Sequence, residues 1–203
     1  MITIIDYGMG NLGSISNMFK RIGVASEVTG DHGKIRAAKK ILLPGVGAFD
    51  AAMERINEGG LKPLLNEKVL NEKVPVLGIC LGMQLLTNSS EEGKLPGLGW
   101  IPARTSRFRF DEHSNLKVPH MGWNRVYEKN PSALTNELPP EPRFYFVHSY
   151  YVLTENEKHV VATTTHGVEF NSIIQKENIF GAQFHPEKSH KFGMKLLENF
   201  ACL

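Results

Sequence analysis

The sequence predicts an α/β fold, a three-layer sandwich with a mostly parallel central sheet, and two patterns carry this prediction. In the first half, short apolar runs alternate with helical periodicity, which is typical of parallel strands covered by helices on both faces. From about residue 93, short β-like runs follow one another, so we expect extra antiparallel strands around the same sheet. The 203 residues are 41% apolar and 22% charged, which fits a single domain over residues 1–203 with a substantial core.

The elements of the first half follow from the spacing of apolar residues. In chain order we expect a strand at Ile2–Ile5, a glycine-rich turn at 7–13, a helix at 14–22, a strand at Ile41–Leu43, a helix from 49 to about 65 and a strand at 74–79. The helix at 49–65 contains Gly59, Gly60 and Pro63. We therefore expect it to break near the glycines and to restart at the proline.

The second half carries strand-like runs at 104–110, 143–147, 150–153, 160–165, 172–175 and 179–184, and a closing helix at 192–200. The stretch at 130–142 is rich in proline and glutamate, so we expect a loop there. No repeat, linker or low-complexity segment divides the chain, which again favours one domain.

The run Gly-Ile-Cys-Leu-Gly at 78–82 lies between a predicted buried strand and a predicted helix. This is the G-x-nucleophile-x-G elbow, where the chain turns sharply and leaves one side chain at the corner. Glycines on both sides of Cys80 permit that turn, and a thiol at a helix N-terminus is favoured as thiolate. An arbitrary cysteine is more often a small buried apolar residue, but this spacing favours a nucleophile.

A second run, Gly-Ala-Gln-Phe-His-Pro-Glu-Lys-Ser at 181–189, supplies a histidine where a predicted strand stops. Glu187 follows His185 by two residues, which puts both side chains on one side of an extended backbone. Cys80, His185 and Glu187 are then the three parts of an activated-nucleophile triad. A metal site at His185, Glu187 and His190 is the alternative, and the lack of paired Cys/His spacing favours the triad without metal.

The N-terminal glycines provide the main rival hypothesis. Gly8, Gly10 and Gly13 spell G-x-G-x-x-G between a strand and a helix, with Asp31 further along. This is the fingerprint of a dinucleotide-binding oxidoreductase. Asp6, however, puts a negative charge near the expected pyrophosphate, and the chain supplies no other part of a dehydrogenase.

Composition excludes several classes of protein. The net charge is +2 without a long basic block, so we expect no nucleic-acid surface. No apolar run is long enough to span a membrane, and the N-terminus lacks the basic flank of an export signal. The two cysteines, Cys80 and Cys202, have no disulfide spacing, which favours a reducing cytoplasm.

Six ordered runs between about residues 2 and 200 resemble one family. They are Asp-Tyr-Gly-Met-Gly-Asn at 6–11, Leu-Leu-Pro-Gly-Val-Gly-Ala-Phe at 42–49, the elbow, Pro-His-Met-Gly-Trp-Asn at 119–124, Phe-Tyr-Phe-Val-His-Ser-Tyr at 144–150 and the His185 run. The elbow and the His185 run resemble class I (triad) glutamine amidotransferases, and the run at 42–49 resembles the oxyanion strand of that family. The other runs resemble the glutaminase subunits of imidazole glycerol phosphate synthases, from histidine biosynthesis. The resemblance implies a flavodoxin-like fold and glutamine hydrolysis through a cysteine thioester without a cofactor.

Further residues receive roles from the elbow and from the resemblance. The backbone N–H of Leu81 is one donor for the oxyanion of the reaction. Gln84 lies four residues after Cys80 on the same helix face, near the substrate. The resemblance adds Gly45, Val46 and Gly47 to the oxyanion hole, His148, Ser149 and Tyr150 to the substrate site, and Asn11, Trp123, Asn124, Tyr145 and Lys188 to a partner interface or ammonia gate.

The predicted chemistry requires a partner, because released ammonia would be lost to protonation and water. The chain has no second domain for an acceptor, so the acceptor site must lie across a sealed interface. The resemblance implies a heterodimer with a (β/α)8-barrel cyclase that makes imidazole glycerol phosphate and aminoimidazole carboxamide ribotide. It also implies that the oxyanion strand turns a peptide away until the partner is engaged.

The acceptor remains open at the level of sequence. His166-Gly167 stands where many relatives have Tyr-Gly, and this segment resembles a paralogous branch that supplies ammonia for amidated sugars of surface polysaccharides. We prefer histidine biosynthesis. A catalytically silent subunit or another kind of thiol hydrolase is the remaining alternative.

Overall fold

Strands and helices alternate in the first half of the computed structural model, which describes residues 1–111 and 114–203. The elements there are β1 (Ile2–Ile5), α1 (Leu12–Arg21), β2 (Ser26–Thr29), α2 (His32–Ala37), β3 (Ile41–Leu43), α3 (Phe49–Glu58), α4 (Leu61–Asn66), β4 (Val76–Ile79) and α5 (Leu81–Leu85). The later elements are β5 (Ser89–Ser90), β6 (Ala103–Arg107), β7 (His120–Arg125), β8 (Tyr127–Glu128), β9 (Arg143–His148), β10 (Tyr150–Thr154), β11 (Val160–His166), β12 (Val168–Lys176), β13 (Ile179–Ala182) and α6 (His190–Cys202).

One large sheet runs through the molecule in the order β2-β1-β3-β4-β13-β12-β10-β6-β5, and β11 pairs with β12 and with β8. The strands from β2 to β13 in this order are parallel, whereas β12, β10 and β6 pair antiparallel. The predicted α/β fold, with a parallel centre and added antiparallel strands from the C-terminal half, is confirmed.

Side chains alternate between the two faces of the sheet, and each face carries its own apolar cluster. Ile41 and Leu43 belong to the cluster packed by α3, α4 and α5, whereas Leu42 belongs to the cluster packed by α1 and α6. All three side chains are fully buried, and burying such a side chain contributes about 1.5–3 kcal/mol. Helices therefore cover both faces of the sheet, and three layers result.

One expected pairing is wrong. The run at 143–147 forms β9, but among the described residues β9 pairs with β7 alone, in a separate two-stranded antiparallel sheet. The apolar pattern does not predict β7, because Gly122 interrupts the alternation of apolar residues. In the structure this glycine has a positive φ of 123°. Nor does the apolar pattern predict the edge strand β2, in which only Thr29 is buried, or the six-residue α2, which buries only Ile35.

Several boundaries differ from those expected. The helix at 49–65 breaks at the glycines, but α4 begins at Leu61 and not at Pro63. A proline is tolerated at Pro63 because the N–H groups of the first helical turn have no intrahelical partner. The run at 104–110 is a strand only to Arg107, the run at 179–184 ends at Ala182, and the closing helix is longer than expected at both ends. No helix among the described residues has the length and apolarity to cross a membrane.

The strands β4 and β13 position the functional residues. Ile79 lies opposite Ala182 in parallel register, and the N–H of Cys80 donates to the carbonyl of Ala182 at 2.8 Å. Both strands therefore end at the same edge of the sheet. In open α/β sheets this carboxyl edge is where ligands bind.

Candidate active site

Cys80 occupies a strained turn between β4 and α5. Its backbone has φ 55° and ψ −111°, a conformation that non-glycine residues rarely adopt. A Cβ on Gly82 would lie 1.9 Å from the carbonyl oxygen of Leu43, and one on Gly78 would lie 2.6 Å from that of Gly82. Glycine at both positions thus permits the elbow, and the free thiol of Cys80 lies at the N-terminus of α5 with 7% of the residue exposed.

His185 and Glu187 form a buried pair just after β13. The Nδ1 atom of His185 lies 2.8 Å from Oε1 of Glu187, and their side chains are 3% and 1% exposed. A carboxylate only accepts, so Nδ1 carries the proton. The His185 N–H donates to the carbonyl of Tyr145 at 2.9 Å, and the Ser189 hydroxyl donates to the carbonyl of His185 at 2.6 Å. Backbone and side chain of the histidine are thus both held.

Three influences set the pKa of His185. Burial lowers it, but the Cys80 sulfur and the Glu187 carboxylate together outweigh burial and raise the pKa to about 10. The Nε2 atom itself has no hydrogen-bond partner among the described residues. The Cys80 sulfur nevertheless lies close enough to the ring to raise its pKa, and contacts of this kind often tighten only when substrate binds. The arrangement favours a charged imidazolium beside the Cys80 sulfur.

Cys80 and His185 line one cavity of about 360 Å³, a volume within the usual range for small-molecule sites. Its other lining residues are Val46, Gly47, Leu81, Gln84, Glu92, Pro119, Val147, His148, Ser149 and Tyr150. Two larger cavities, of about 540 and 570 Å³, lie elsewhere, and the cysteine lines neither. The candidate site is therefore the cavity of about 360 Å³ that Cys80 and His185 line, and neither of the two larger ones.

The residues expected at the oxyanion hole are only partly at the cavity. Val46, Gly47 and Leu81 line it, and Gly47 has a positive φ of 108°. Gly45 instead is buried under the elbow, where a Cβ would come within 2.7 Å of the Gly82 nitrogen. The Tyr7 hydroxyl donates to the carbonyl of Pro44 at 2.6 Å, and burial raises the pKa of that phenol. The loop after β3 is therefore anchored just before its exposed peptides.

The four residues expected to bind substrate all line the cavity. The Gln84 amide donates to the Tyr150 carbonyl and to Oε1 of Gln183, both at 3.1 Å. Both ring nitrogens of His148 are already engaged, Nδ1 by the Tyr150 carbonyl at 2.7 Å and Nε2 by His120 at 3.0 Å. His148 thus has no ring nitrogen free for a ligand.

Two polar residues near Cys80, Glu92 and Gln183, are not predicted as site residues from the sequence. Glu92 lines the cavity, accepts a hydrogen bond from the Phe49 N–H at 3.0 Å and has a pKa raised by burial. No local pattern marks it, because it lies in a loop. The buried amide of Gln183 lies 3.9 Å from the Cys80 sulfur, and its position two residues before His185, at the end of the strand predicted at 179–184, is the signal that the sequence offers.

Three of the expected interface residues form one surface patch. The Trp123 and Tyr145 ring centroids are 6.3 Å apart, and the Lys188 ammonium lies 5.7 Å from the Tyr145 ring centroid. Trp123 is 47% exposed and Met121 beside it is 62% exposed. Asn124 is half-buried and hydrogen-bonds to His120, while Asn11 is an exposed residue that precedes α1.

The glycine-rich turn after β1 is filled by the chain itself. Asp6 accepts a hydrogen bond from the Gly8 N–H at 2.9 Å, and the Arg55 guanidinium donates to the Gly8 carbonyl at 2.6 Å. The alternative metal ligands also separate, since His190 stacks on Trp123 with ring centroids 5.4 Å apart. Among residues 1–111 and 114–203, no three His, Cys, Asp or Glu side chains are grouped to hold a metal.

Known proteins resemble this chain over its whole length. A profile of the family Glutamine amidotransferase class-I matches residues 3–202. Imidazole glycerol phosphate synthase subunit HisH 2 of Methanococcus maripaludis is 56% identical over 98% of both chains. Subunit HisH of Bdellovibrio bacteriovorus is 48% identical over 99% of both chains.

Solved structures support the fold alone, because their identities are low. A crystal structure of a glutamine amidotransferase aligns with a TM-score of 0.71 over 100% of both chains at 15% identity. PurLQS from Thermotoga maritima aligns with a TM-score of 0.72 over 98% of this chain and 96% of that one, at 17% identity. The relatives favour neither a dinucleotide-binding oxidoreductase nor the surface-sugar branch. The chain belongs to the class-I glutamine amidotransferase family and, within it, to the HisH subunits of imidazole glycerol phosphate synthase.

Proposed function

We propose that this chain is the glutaminase subunit of imidazole glycerol phosphate synthase. It hydrolyses glutamine to glutamate and ammonia for a partner in histidine biosynthesis, in the cytoplasm, as a single domain over residues 1–203. One observation carries the proposal. A cysteine on a strained elbow shares a cavity with a buried His185–Glu187 pair, in a chain whose relatives are HisH subunits over their full length.

The proposed reaction uses Cys80 as nucleophile. Its thiolate attacks the side-chain amide carbon of glutamine, and the tetrahedral intermediate expels ammonia after His185 gives its proton to the leaving nitrogen. Water, deprotonated by His185, then attacks the thioester, and glutamate leaves as the Cys80 thiolate is restored beside the His185 imidazolium. Glu187 keeps the proton on Nδ1 and stabilises the imidazolium.

The oxyanion of both steps needs donors that are fixed in advance. The Leu81 N–H is one, because at the first position of α5 it has no intrahelical acceptor. The second comes from the loop at Gly45, Val46 and Gly47, which follows β3. The positive φ of Gly47 gives this loop the freedom to turn a peptide toward or away from the cavity.

Polar groups of the cavity suit the amino-acid end of glutamine. We propose that Glu92 accepts from its α-ammonium, because it is an acidic side chain in the cavity lining. Gln84 contributes its amide oxygen, since its nitrogen is bound by the protein. Ser149, between β9 and β10, and Tyr150, the first residue of β10, contribute backbone groups, with His148 behind them.

The partner is proposed to be a (β/α)8-barrel cyclase in a heterodimer. It uses ammonia to make imidazole glycerol phosphate and aminoimidazole carboxamide ribotide. Exposed aromatic and apolar side chains mark interaction sites, so the patch of Trp123, Met121, Tyr145 and Lys188 is the proposed contact surface. Asn11 and Asn124 complete the interface, which seals ammonia from water.

The experiment that tests this function measures glutamate release by the purified complex with and without the partner's nucleotide ligand. The native complex should release glutamate faster when the ligand is added. Cys80→Ala should abolish release while the complex still forms, and Cys202→Ala, the matched control, should retain it. Release that persists in Cys80→Ala refutes the nucleophile, and release that no barrel partner or ligand changes refutes the regulated subunit.

A further inference from the structure

Asn124, His120 and His148 are joined by hydrogen bonds behind the cavity. Nδ2 of Asn124 lies 3.1 Å from Nε2 of His120, and Nδ1 of His120 lies 3.0 Å from Nε2 of His148. Nδ1 of His148 lies 2.7 Å from the Tyr150 carbonyl. Both histidines are buried. The three side chains thus connect β7, which bears the exposed Trp123, to the wall of the cavity.

Backbone groups at both ends fix the direction of every bond. The Asn124 Oδ1 accepts from the Arg125 N–H at 2.8 Å, and its Nδ2 donates to the Thr165 carbonyl at 2.9 Å. The amide orientation is therefore set, and Nε2 of His120 must accept. At the other end the Tyr150 carbonyl can only accept, so Nδ1 of His148 carries the proton.

The constraints from Asn124 and from the Tyr150 carbonyl give the same direction for the hydrogen bond between His120 and His148. With Nε2 as acceptor, a neutral His120 carries its proton on Nδ1, and a neutral His148 with its proton on Nδ1 offers Nε2 as acceptor. The bond therefore runs from Nδ1–H of His120 to Nε2 of His148. A second proton on either ring would place two donors against each other, and burial lowers the pKa of His120 to about 4 and of His148 to about 3.

The chain of bonds continues through Tyr150 to the cysteine. The same Tyr150 carbonyl accepts from the Gln84 amide at 3.1 Å, and that amide also donates to Oε1 of Gln183 at 3.1 Å. The Gln183 amide in turn lies 3.9 Å from the Cys80 sulfur. Both amide hydrogens of Gln84 are therefore committed, and only its oxygen remains for a ligand.

We propose that Asn124, His120 and His148 are positioning residues that fix the Tyr150 carbonyl and, through it, the Gln84 amide, so that Gln84 offers glutamine an acceptor and never a donor. This inference rests on the proposed glutaminase function. None of the three side chains touches the reacting atoms. This series of hydrogen bonds holds the groups that bind glutamine, so its loss should raise KM. It should leave kcat nearly unchanged, because His185 is held separately by Glu187, Tyr145 and Ser189.

The variant that breaks this series of hydrogen bonds is His120→Phe, which keeps an aromatic ring against Phe146 but has no ring nitrogen. The matched control is His166→Phe. His166 stacks on His120 with ring centroids 4.2 Å apart, but its Nε2 binds the Lys117 carbonyl, which takes no part in the series of hydrogen bonds. In the complex with the synthase partner, we expect His120→Phe to raise the KM for glutamine about fivefold to tenfold, the usual effect of one hydrogen bond. The kcat of His120→Phe, and both constants of His166→Phe, should stay within about twofold.

A spectroscopic measurement on the native chain tests the same inference without any activity. Nitrogen-15 NMR of the imidazole rings at neutral pH should show His120 and His148 as neutral tautomers protonated at Nδ1. A proton on Nε2 of either ring overturns the inference, as does a fall in kcat at unchanged KM in His120→Phe, or an equal KM change in His166→Phe. A native complex without glutaminase activity would instead refute the proposed function. The two tautomers would still decide whether the series of hydrogen bonds from Asn124 to the Tyr150 carbonyl is formed.

Discussion

Ile79 lies directly opposite Ala182 across two adjacent parallel strands. Cys80 follows the first residue, and His185 follows the second by three positions. The pairing therefore brings together two residues that are distant in sequence, at the edge of the sheet where both strands end. The Cys80 N–H, which donates to the Ala182 carbonyl at 2.8 Å, extends the pairing into the elbow.

Removal of the carboxylate beside His185 should weaken the proton transfer. In Glu187→Gln, a group that raises the pKa of His185 is lost, so the imidazolium loses its proton at lower pH than in the native enzyme. We expect kcat to fall roughly 100-fold, and the alkaline limb of the rate profile to move to lower pH. Steady-state kinetics across pH measure both. The control Glu177→Gln breaks a surface pair with Lys73 and should change neither; an unshifted alkaline limb in Glu187→Gln contradicts the assignment.

The elbow should not tolerate a methyl group. In Gly82→Ala the new Cβ would lie 1.9 Å from the Leu43 carbonyl oxygen, so β3 or the elbow must move, and we expect a loss of at least about 2 kcal/mol in unfolding free energy. Gly13→Ala, in helix α1 with no atom within 4 Å of the new Cβ, should be neutral or stabilising by up to about 1 kcal/mol. Urea denaturation measures both, and equal effects would refute the close packing.

Stability should fall with acid because of two buried neutral histidines. The pKa of His120 is lowered to about 4 and that of His148 to about 3, mainly by burial. The unfolded chain binds their protons below about pH 6.5, whereas the folded chain does so only near pH 4 and below. Their contribution is thus complete above pH 6.5 and is lost as pH falls toward 4, with a slope of up to about 1.4 kcal/mol per pH unit for each ring.

Urea unfolding between pH 4.5 and 7.5 tests this dependence. We expect His120→Phe to show a shallower slope of unfolding free energy against pH than the native chain. The control Phe108→Leu alters the same aromatic cluster without a titrating group, so its destabilisation should be equal at both ends of the range. A His120→Phe slope as steep as the native one contradicts the lowered pKa values.

The aromatic patch on β7 should carry affinity for the partner. Trp123 is 47% exposed and packs edge-on to Tyr145, and exposed tryptophans of this kind are frequent hot spots. We expect Trp123→Ala to weaken binding to the proposed partner subunit about 10- to 30-fold without changing the unfolding midpoint. Tyr127→Ala, an exposed aromatic residue in another cavity, is the control. Calorimetric titration that gives equal affinities for the native and Trp123→Ala chains would place the interface elsewhere.

Local patterns explain why Cys80, His185 and Glu187, the proposed triad, stand out in the sequence. The elbow has a fixed spacing of glycines around Cys80, and His185 and Glu187 are separated by two residues. Gln84 also followed from local geometry, one helical turn after the nucleophile. The α/β class was equally accessible, because each buried strand of the first half is a short apolar run.

Contacts between distant segments explain what the sequence did not predict. His120 acquires its role from Asn124, His148 and the Tyr150 carbonyl, which lie on three strands, and no spacing encodes these bonds. Glu92 enters the cavity from a loop, where a single acidic residue is usually only a solvated charge. The strand β7 was missed because Gly122 breaks the apolar alternation on which the strand assignment depends.

The most direct measurement of the central claim is the labelling of the two cysteines by an electrophilic glutamine analogue, read by mass spectrometry. Exposure alone favours Cys202, which is exposed, over Cys80, which is buried. We predict that the analogue modifies Cys80 and spares Cys202, that free glutamine protects Cys80, and that His185→Asn slows the modification. Preferential modification of Cys202, or modification of Cys80 that glutamine does not slow, would contradict the account.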